Sequence, residues 1–397
     1  MELRIDAKKW RRLRGASRLL DALGADQGLT RYVGGAVRDE LLDLPVSDVD
    51  LATRLKPEEV VERLEAAKIR AVPTGIDHGT VTAVSNGHPF EITSLRRDVT
   101  TDGRRATVAF TDDWKEDAAR RDFTINALSA DPNSGEVYDY FCGTDDLLAR
   151  RVRFIGNPLE RIAEDHLRIL RFFRFHARFG EGEPDAEALA ACAQRANDLM
   201  ALSRERIADE LLKLLAVDDP SPTISIMLDN GVIRPVLPEI ELRALAQLRG
   251  LVEAERAASI DADPYRRLAA LLPREPALAE RVAARLKLSN KARKRLACAA
   301  EGETSGDPRA LAYYCGTDCA IDRLLLDGKS SVARQIASWS TPKLPIGGGT
   351  LIQRGLTKGP VVARALKSIE RRWVQSGFPT GAELDRIVDL ELDEARS

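Results

Sequence analysis

The stretch that decides the fold is residues 31–52, RYVGGAVRDELLDLPVSDVDLA. A short β-prone run meets Gly34 and Gly35, whose missing side chains let backbone N–H groups approach an anion closely. Residues 36–42 then predict a helix, and its N-terminal amides together with the planar guanidinium of Arg38 suit phosphate oxygens. The pattern predicts a phosphate-binding unit made of a strand, a glycine pair and a helix.

A pair of aspartates follows the turn that ends this helix. Residues 46–52 predict a strand on which Asp48 and Asp50 project from one face, while Val49 and Leu51 point into the core. Two carboxylates on one face can hold two Mg²⁺ ions about 3.5–4 Å apart, the spacing used for in-line nucleotidyl displacement. An isolated Asp-x-Asp more often marks a solvated turn, so the prediction depends on the ordered combination of all four elements.

Three further motifs follow the first one in order. They are RRDFTINAL at residues 120–128, GTDDL at 143–147 and EDHLRILRFFRF at 164–175. The first unit resembles the nucleotidyltransferase superfamily of DNA polymerase beta type. The four motifs together resemble one branch of it, the class II tRNA nucleotidyltransferases and bacterial poly(A) polymerases. Four ordered motifs are far more specific than any single one.

The resemblance implies an α+β fold with a small nucleotidyltransferase head, built on a mixed sheet, and an all-α remainder. We expect the catalytic head over residues 1–150, a helical neck with the base-selecting motif over 151–215, and a helical, tRNA-binding body and tail over 216–397. Residues 96–113 carry turn residues and charges but little periodicity, and this pattern predicts a mobile loop. Periodic apolar patterns predict helices almost exclusively from about residue 157 onward.

Glu91 lies in the strand-like run PFEITS and is a candidate third catalytic carboxylate. Polymerase-type sites need a base or metal ligand near the attacking 3′-hydroxyl. An ordinary edge-strand glutamate fits the pattern equally well. In the second motif, Arg121 matches the family's nucleotide-contacting arginine. Asp122 and Asn126 fit a structural role equally well, and for Asp122 a helix cap is the commoner explanation.

The fourth motif predicts a largely buried helix that begins at Asn157-Pro158 and ends at Gly180. Buried arginines need anionic partners, which structural carboxylates or a bound triphosphate could supply. The resemblance assigns Arg168, Arg171 and Arg174 to the nucleotide. Arg178 is interpreted as part of a structural ion pair.

Asp165 and Arg168 are three positions apart and are expected to be neighbours on that helix. The resemblance implies that this pair reads the incoming base. Cytosine and adenine each present an amino donor beside a ring-nitrogen acceptor, which an aspartate acceptor and an arginine donor can match. Uracil and guanine place a carbonyl where the amino group should be, so the protein itself would replace a template.

Charge and cysteine content set broader limits. The 397 residues carry 60 Lys+Arg and 62 Asp+Glu, so the net charge of −2 does not by itself indicate a nucleic-acid binder. Basic runs at residues 8–14, 150–153, 168–178 and 287–295 could contact RNA or form solvated helix faces. The five cysteines suggest neither a disulfide framework nor a zinc pattern. No stretch has the apolar length of a signal core or a membrane span, and we expect a cytoplasmic protein without membrane contact.

The sequence therefore predicts an Mg²⁺-dependent enzyme that adds CCA to the 3′ acceptor end of tRNA from CTP and ATP and releases pyrophosphate. Segments such as SRERIADELLKLL at residues 203–215 resemble the neck and body of CCA-adding enzymes. An A-adding tRNA nucleotidyltransferase or a poly(A) polymerase remains the alternative, because these enzymes share the head and neck motifs. An RNA-binding protein without activity is disfavoured by the aspartate pair.

Overall fold

The computed structural model describes residues 3–46, 48–76, 79–102, 105–302 and 304–396. The chain divides into two compact units. The first comprises Met1–Glu210 and Ile226–Val236, and the second comprises Leu211–Ser225 and Leu237–Ser397. Each unit is described separately below.

The β-structure of the described residues belongs to the first unit. Its strands are β1 Thr30–Val33, β2 Leu51–Thr53, β3 Arg70–Gly75, β4 Thr80–Ser85, β5 His88–Ser94, β6 Arg96–Asp102, β7 Arg105–Phe110, β8 Ser129–Ala130 and β9 Val137–Tyr138. Seven of them form one sheet in the order β3-β4-β5-β2-β1-β8-β9, and β6 pairs with β7. The pairing of β2 with β5 is parallel and the pairing of β1 with β2 is antiparallel, so the sheet is mixed, as expected.

The described residues of the first unit also contain eleven α-helices, two of them only in part. They are α1 Ala7–Arg11, α2 Ala16–Ala22, α3 Gly35–Leu41, α4 Pro57–Ala66, α5 Trp114–Ala119, α6 Gly143–Leu148, α7 Pro158–Glu164, α8 Arg168–Phe179, α9 Ala186–Gln194, α10 Arg204–Leu215 and α11 Ser221–Asp229, with α10 and α11 crossing the unit limits. An aromatic cluster holds the second motif against α8. Phe123 lies 4.9 Å from Phe154 and 5.2 Å from Phe175, measured between ring centroids.

Three local predictions for this unit were wrong. Strand β2 begins only at Leu51, so Asp48 and Asp50 precede it, and Val49 is partly exposed. Aspartate is a poor strand residue, which shortens the strand at this end. The segment expected as a mobile loop instead contains the paired strands β6 and β7. Its Asp-Gly and alternating Thr/Val pattern is a hairpin signal, although Gly103 lies outside the described residues.

The third wrong prediction concerns the fourth motif, which is not one continuous helix. Asn157 caps α7 by accepting a 2.9 Å hydrogen bond from the Leu159 amide, and α8 ends before Gly180, as predicted. Between them, Asp165 adopts an extended backbone conformation with φ −153° and ψ 107°. The apolar residues of α7 and α8 follow one helical periodicity across the break, so the sequence pattern does not reveal it.

The described residues of the second unit form helices joined by loops, without strands. Its helices are α12 Leu242–Ala258, α13 Pro264–Ala270, α14 Pro276–Arg285, α15 Asn290–Ala299, α16 Pro308–Cys315, α17 Thr317–Leu326, α18 Ser330–Ala337, α19 Gly348–Gln353, α20 Pro360–Gln375 and α21 Ala382–Arg396. An apolar cluster around Ile369, Trp373 and Val388 packs α20 with α21. In the described part of the chain, we find no helix with the length and apolar character needed to cross a membrane.

A buried ion network ties α12, α13, α15 and α17 together. Glu255 binds both Arg266 at 2.8 Å and Arg267 at 2.9 Å, and Asp322 binds Arg266 at 2.9 Å and Arg295 at 2.6 Å. The arginines share the carboxylates, so each buried charge is compensated. The nearby pair Cys298 and Cys319 forms a disulfide, which contradicts the expectation of no disulfide. Their separation of 21 residues gives no pairing signal in the sequence.

Candidate nucleotide-binding and catalytic site

The glycine pair is where the sequence analysis placed it, at the junction of β1 and α3. Gly34 has φ +69°, a left-handed value that favours glycine. A Cβ atom at Gly34 would lie 2.9 Å from Nη1 of Arg121. The missing side chain therefore leaves room for the Arg121 guanidinium beside the backbone turn.

Arg38, on α3, is buried and held from several sides. Its guanidinium donates to Oδ1 of Asp39 at 2.8 Å and to the side-chain oxygen of Asn126, and it lies 4.1 Å from the ring centroid of Phe179. Burial lowers the pKa of Arg38, and Asp39 partly reverses this effect. These contacts are all with protein groups, so the guanidinium is held in position without a ligand.

Carboxylates meet where β2 and β5 run side by side. Leu51 pairs with Ile92 in parallel register, so Asp50 and Glu91 are the preceding residues on adjacent chain segments. Ile92 is buried, as predicted, while Glu91 is exposed. Loss of solvent around the carboxylate raises the pKa of Asp50; Glu91 and Asp48 raise it further and Arg121 opposes them. Carboxylate oxygens are the ligands that Mg²⁺ prefers, and a bound divalent cation would relieve the repulsion between these groups.

Asp122 is the centre of a buried hydrogen-bond network. Its carboxylate accepts hydrogen bonds from the amide of Phe123 at 2.9 Å, from the side chain of Asn126 at 3.1 Å and from Nε of Arg171 at 2.7 Å. Burial opposes its ionisation, but Arg171 and these hydrogen bonds outweigh burial and lower the pKa of Asp122. The predicted helix cap was wrong, because Thr124–Asn126 forms only a 3₁₀ turn without a side-chain cap. Asp122 instead orients Arg171.

Asp165 lies in the helix break, Arg168 is the first residue of α8, and the two side chains have different partners. The Asp165 carboxylate accepts hydrogen bonds from the Leu167 amide at 3.1 Å and from Nη2 of Arg206 at 2.6 Å. Arg168 pairs with Glu164 and donates to the backbone carbonyl of Arg161 at 2.9 Å. The pair expected on one helix face is thus held by two separate sets of contacts.

The remaining arginines of α8 have structural partners. Arg174 binds Glu210 with an N–O distance of 2.5 Å, and Arg178 lies 3.5 Å from Asp39. Glu210 is also 3.6 Å from Arg171. Arg178 therefore forms the ion pair that the sequence suggested, while the nucleotide contact of Arg174 stays a prediction.

A cavity of about 610 Å³ in the first unit brings most of the predicted residues together. Its walls include Gly35, Arg38, Asp50, Glu91, Arg121, Asp165, Arg168 and Arg171. Asp48 and Arg174 are not among the described lining residues. The lining also contains Arg96, Arg120 and Arg206, which the sequence analysis did not assign. The run SRERIADEL places Arg206 on a helix, where it is half-buried in the structure. A half-buried arginine needs an anionic partner, and this requirement was the signal for a contact such as the one with Asp165.

Comparison with known proteins agrees with this geometry. Residues 30–153 match the family model "Poly A polymerase head domain", and residues 183–243 match "Probable RNA and SrmB- binding site of polymerase A". The Mus musculus mitochondrial CCA tRNA nucleotidyltransferase 1 is 34% identical over 92% of this chain and 87% of its own length. This chain belongs to the CCA-adding tRNA nucleotidyltransferase family.

Two further comparisons support this membership of the CCA-adding family. The CCA-adding enzyme of Streptococcus gordonii is 34% identical over 89% of this chain and 90% of its own length. The structure of the Bacillus stearothermophilus CCA-adding enzyme in complex with CTP matches with a TM-score of 0.73 at 26% identity, covering 96% of this chain and 97% of that one. The α+β fold with a polymerase-type head and a helical remainder is thereby confirmed.

Proposed function

We propose that this protein adds CCA to the 3′ acceptor end of tRNA, using CTP and ATP and releasing pyrophosphate at each step. The observation that carries the proposal is the cavity of about 610 Å³, whose lining includes carboxylates, arginines and the pair Asp165 and Arg168. The names of the relatives point to the same activity. The helical segments after residue 216 are the proposed tRNA-binding part.

The charge of the cavity suits a nucleoside triphosphate. Its described lining contains seven arginines against four carboxylates, so a polyanion would find a net positive surface. Arg121 and Arg171 are oriented by Asp117 and Asp122, with N–O distances of 3.5 Å and 2.6 Å. Prepositioned guanidiniums can bind phosphate oxygens in pairs without first being ordered. We assign Gly35, Arg38, Arg121, Arg171 and Arg174 to the triphosphate and ribose.

Asp165 and Arg168 are the proposed readers of the base. An Asp165 oxygen would accept the exocyclic amino group of cytosine or adenine, and Arg168 would donate to the ring nitrogen. A uracil or guanine carbonyl would instead oppose the carboxylate, and this mismatch would cost a few kcal/mol, on the order of 1–3. Since both accepted bases share the donor–acceptor pattern, one pair can serve CTP and ATP.

Asp48 and Asp50 are the proposed Mg²⁺ ligands, and Glu91 is the proposed third carboxylate beside them. When bound, Mg²⁺ would stabilise charge on the triphosphate and favour ionisation of the attacking 3′-hydroxyl. The arginines that line the cavity would hold the phosphates beside these carboxylates. A cytoplasmic location stays a prediction, since the Mus musculus relative is named as mitochondrial.

Defined tRNA substrates test the activity. Transcripts ending at the discriminator base, at C and at CC are incubated with CTP, ATP or both and with Mg²⁺, and the product ends are sequenced. Completion of all three to CCA is the expected result, with Asp48→Ala as the inactive control. Extension of the CC transcript alone would indicate an A-adding enzyme, and a long adenosine tail would indicate a poly(A) polymerase. No extension of any transcript would refute the proposal.

A further inference from the structure

The second unit carries a group of three cysteines on neighbouring helices. Cys298 lies on α15, Cys315 is the last residue of α16 and Cys319 lies in the first half of α17. Cys298 and Cys319 are joined as a disulfide, and the sulfur atoms of all three residues lie within 4.8 Å of one another. A third thiol thus adjoins an existing disulfide, an arrangement that neither structural stapling nor nucleotide chemistry requires.

The turn between α16 and α17 creates this proximity. Gly316 has φ +86° and separates the two helices by a single residue. Cys315 and Cys319 therefore face the same region although they belong to different helices. Cys315 is half-buried and its thiol contacts the carbonyl of Gly316 at 3.6 Å. The thiol is held beside the disulfide by the local backbone.

The cluster opens into a cleft of about 340 Å³ with a positive rim. All three cysteines line this cleft together with Lys291, Lys294, Arg295 and Asp318. Arg295 is bound to Asp322 at 2.6 Å and Asp263 at 2.9 Å, whereas both lysines are exposed. The exposed ammonium groups would attract a small anionic reagent to the sulfur atoms.

We propose that the three cysteines form a thiol–disulfide exchange site for an anionic low-molecular-weight thiol and its disulfide, of which glutathione is the probe. Oxidation begins when the thiolate of Cys298 attacks oxidised glutathione, forms a mixed disulfide and releases one glutathione thiolate. The thiolate of Cys319 then attacks the Cys298 sulfur, the Cys298–Cys319 bond forms and a second glutathione thiolate leaves. Two protein thiols are oxidised and one glutathione disulfide is reduced.

Cys315 allows a second disulfide to form at this site. Its thiolate can attack the Cys319 sulfur, so that a Cys315–Cys319 bond forms, the Cys298–Cys319 bond breaks and Cys298 leaves as a thiolate that takes up a proton. Burial raises the pKa of Cys315, although Arg323 opposes this. The raised pKa slows attack by Cys315, and Cys298–Cys319 is the pair that is bonded in the structure.

Tryptic peptides distinguish the pairings directly. Cleavage separates Cys298, in residues 296–309, from Cys315 and Cys319, which share residues 310–323. The full-length protein is equilibrated in buffers of different reduced-to-oxidised glutathione ratio, quenched with acid, alkylated, digested and analysed by mass spectrometry. We expect a cross-linked peptide whose fraction rises with the oxidised share and disappears under excess reduced glutathione. A minor internal disulfide in peptide 310–323 should accompany it.

Variants identify the participating sulfurs. Cys315→Ser should abolish the internal disulfide and keep the cross-link, while Cys298→Ser should leave Cys315–Cys319 as the oxidised pair. Cys142→Ser is the matched control, since Cys142 is exposed and outside the cluster, and it should change neither product. Lys291→Gln combined with Lys294→Gln should slow oxidation by glutathione several-fold.

Three results would overturn the proposal. The first is the absence of a cross-link even with excess oxidised glutathione, and the second is a cross-link that does not respond to the glutathione ratio. The third is one equivalent of firmly bound zinc in the reduced protein that each of the three cysteine-to-serine changes removes. That last result would make the cluster a thiolate metal site instead. None of these outcomes depends on nucleotidyl transfer.

Discussion

Arg206 donates a 2.6 Å hydrogen bond to the Asp165 carboxylate across a separation of 41 residues. Asp165 lies in the break between α7 and α8, so helical backbone geometry does not fix its side chain. Its second oxygen accepts from the Leu167 amide. Arg206 and this amide together set the direction of the proposed base acceptor. The pairing also explains how an aspartate in the cavity keeps its charge balanced.

Loss of this contact should affect base selection. Arg206→Ala is expected to reduce kcat/KM for CTP and ATP about 10-fold, because a hydrogen bond to a charged group contributes on the order of 1.5–3 kcal/mol and partial exposure reduces that value. Incorporation of UTP should rise relative to CTP. Arg195→Ala is the matched control, since Arg195 pairs with Asp198 at 2.7 Å and does not line the cavity. Single-nucleotide incorporation assays measure both, and unchanged selectivity would contradict this role of Arg206.

The space at Gly34 should be more critical than its backbone angle. Gly34→Ala forces a methyl group to within 2.9 Å of Arg121, whereas Gly87, with φ +80°, has nothing within 4 Å of an added Cβ. Both substitutions place a side chain on a residue with positive φ, which costs on the order of 1–3 kcal/mol. We expect Gly34→Ala to lower kcat/KM at least ~10-fold by displacing Arg121, a proposed phosphate ligand. Gly87→Ala should lower the melting temperature similarly and leave kcat/KM unchanged; equal activities would argue against a role for Arg121 placement.

Ionised Asp50 is expected to lower the stability of the fold and to be required for activity. The pKa of Asp50 is raised in the folded protein, so the ionised carboxylate lowers the free energy of unfolding at neutral pH. The free energy of unfolding rises again as the pH falls through that pKa and Asp50 takes up a proton. Asp50→Asn should therefore raise the melting temperature at neutral pH in EDTA. The same change should reduce turnover by roughly 10³-fold or more and diminish the stabilisation by added Mg²⁺. Thermal melts with EDTA or Mg²⁺ test this, and a full Mg²⁺ effect in the variant would contradict the metal assignment.

The network around Glu255 should dominate the stability of the second unit. Glu255→Gln leaves Arg266 and Arg267 buried without their shared charge, and we expect a loss of about 3 kcal/mol in the free energy of unfolding. Glu280→Gln is the control, because Glu280 is 58% exposed and its pairing with Arg293 at 3.1 Å should contribute less than about 1 kcal/mol. Urea denaturation followed by circular dichroism compares the two. Equal effects would show that the buried network adds no specific stability.

The sequence was most informative where local chemistry is self-contained. The β1 strand, the glycine turn and helix α3 follow from residue types within one short stretch, and the Asn157 cap follows from its Asn-Pro pair. The alternation around Glu91 correctly predicted a buried Phe90 and Ile92. In each case the deciding interactions span only a few residues.

Contacts between distant residues were beyond the sequence analysis. The contact between Asp165 and Arg206 spans 41 positions, and the contact between Asp122 and Arg171 spans 49. The disulfide joins residues on different helices whose packing fixes their distance. Apolar periodicity reports which face is buried but carries no information on which charged group meets which. These partners emerge only when the elements are packed together.

The parallel register of β2 and β5 has a consequence for how such chains can change in length. Asp50 and Glu91 are brought side by side by strand pairing, although the intervening residues include α4, β3 and β4. Insertions in the surface turns of that stretch would leave the pairing intact. A single deletion within β2, Leu51–Thr53, would shift the register of that strand and turn its remaining side chains to the opposite face of the sheet. Insertions between the two strands would therefore leave the spacing of the two carboxylates unchanged, whereas a register shift of β2 would alter it.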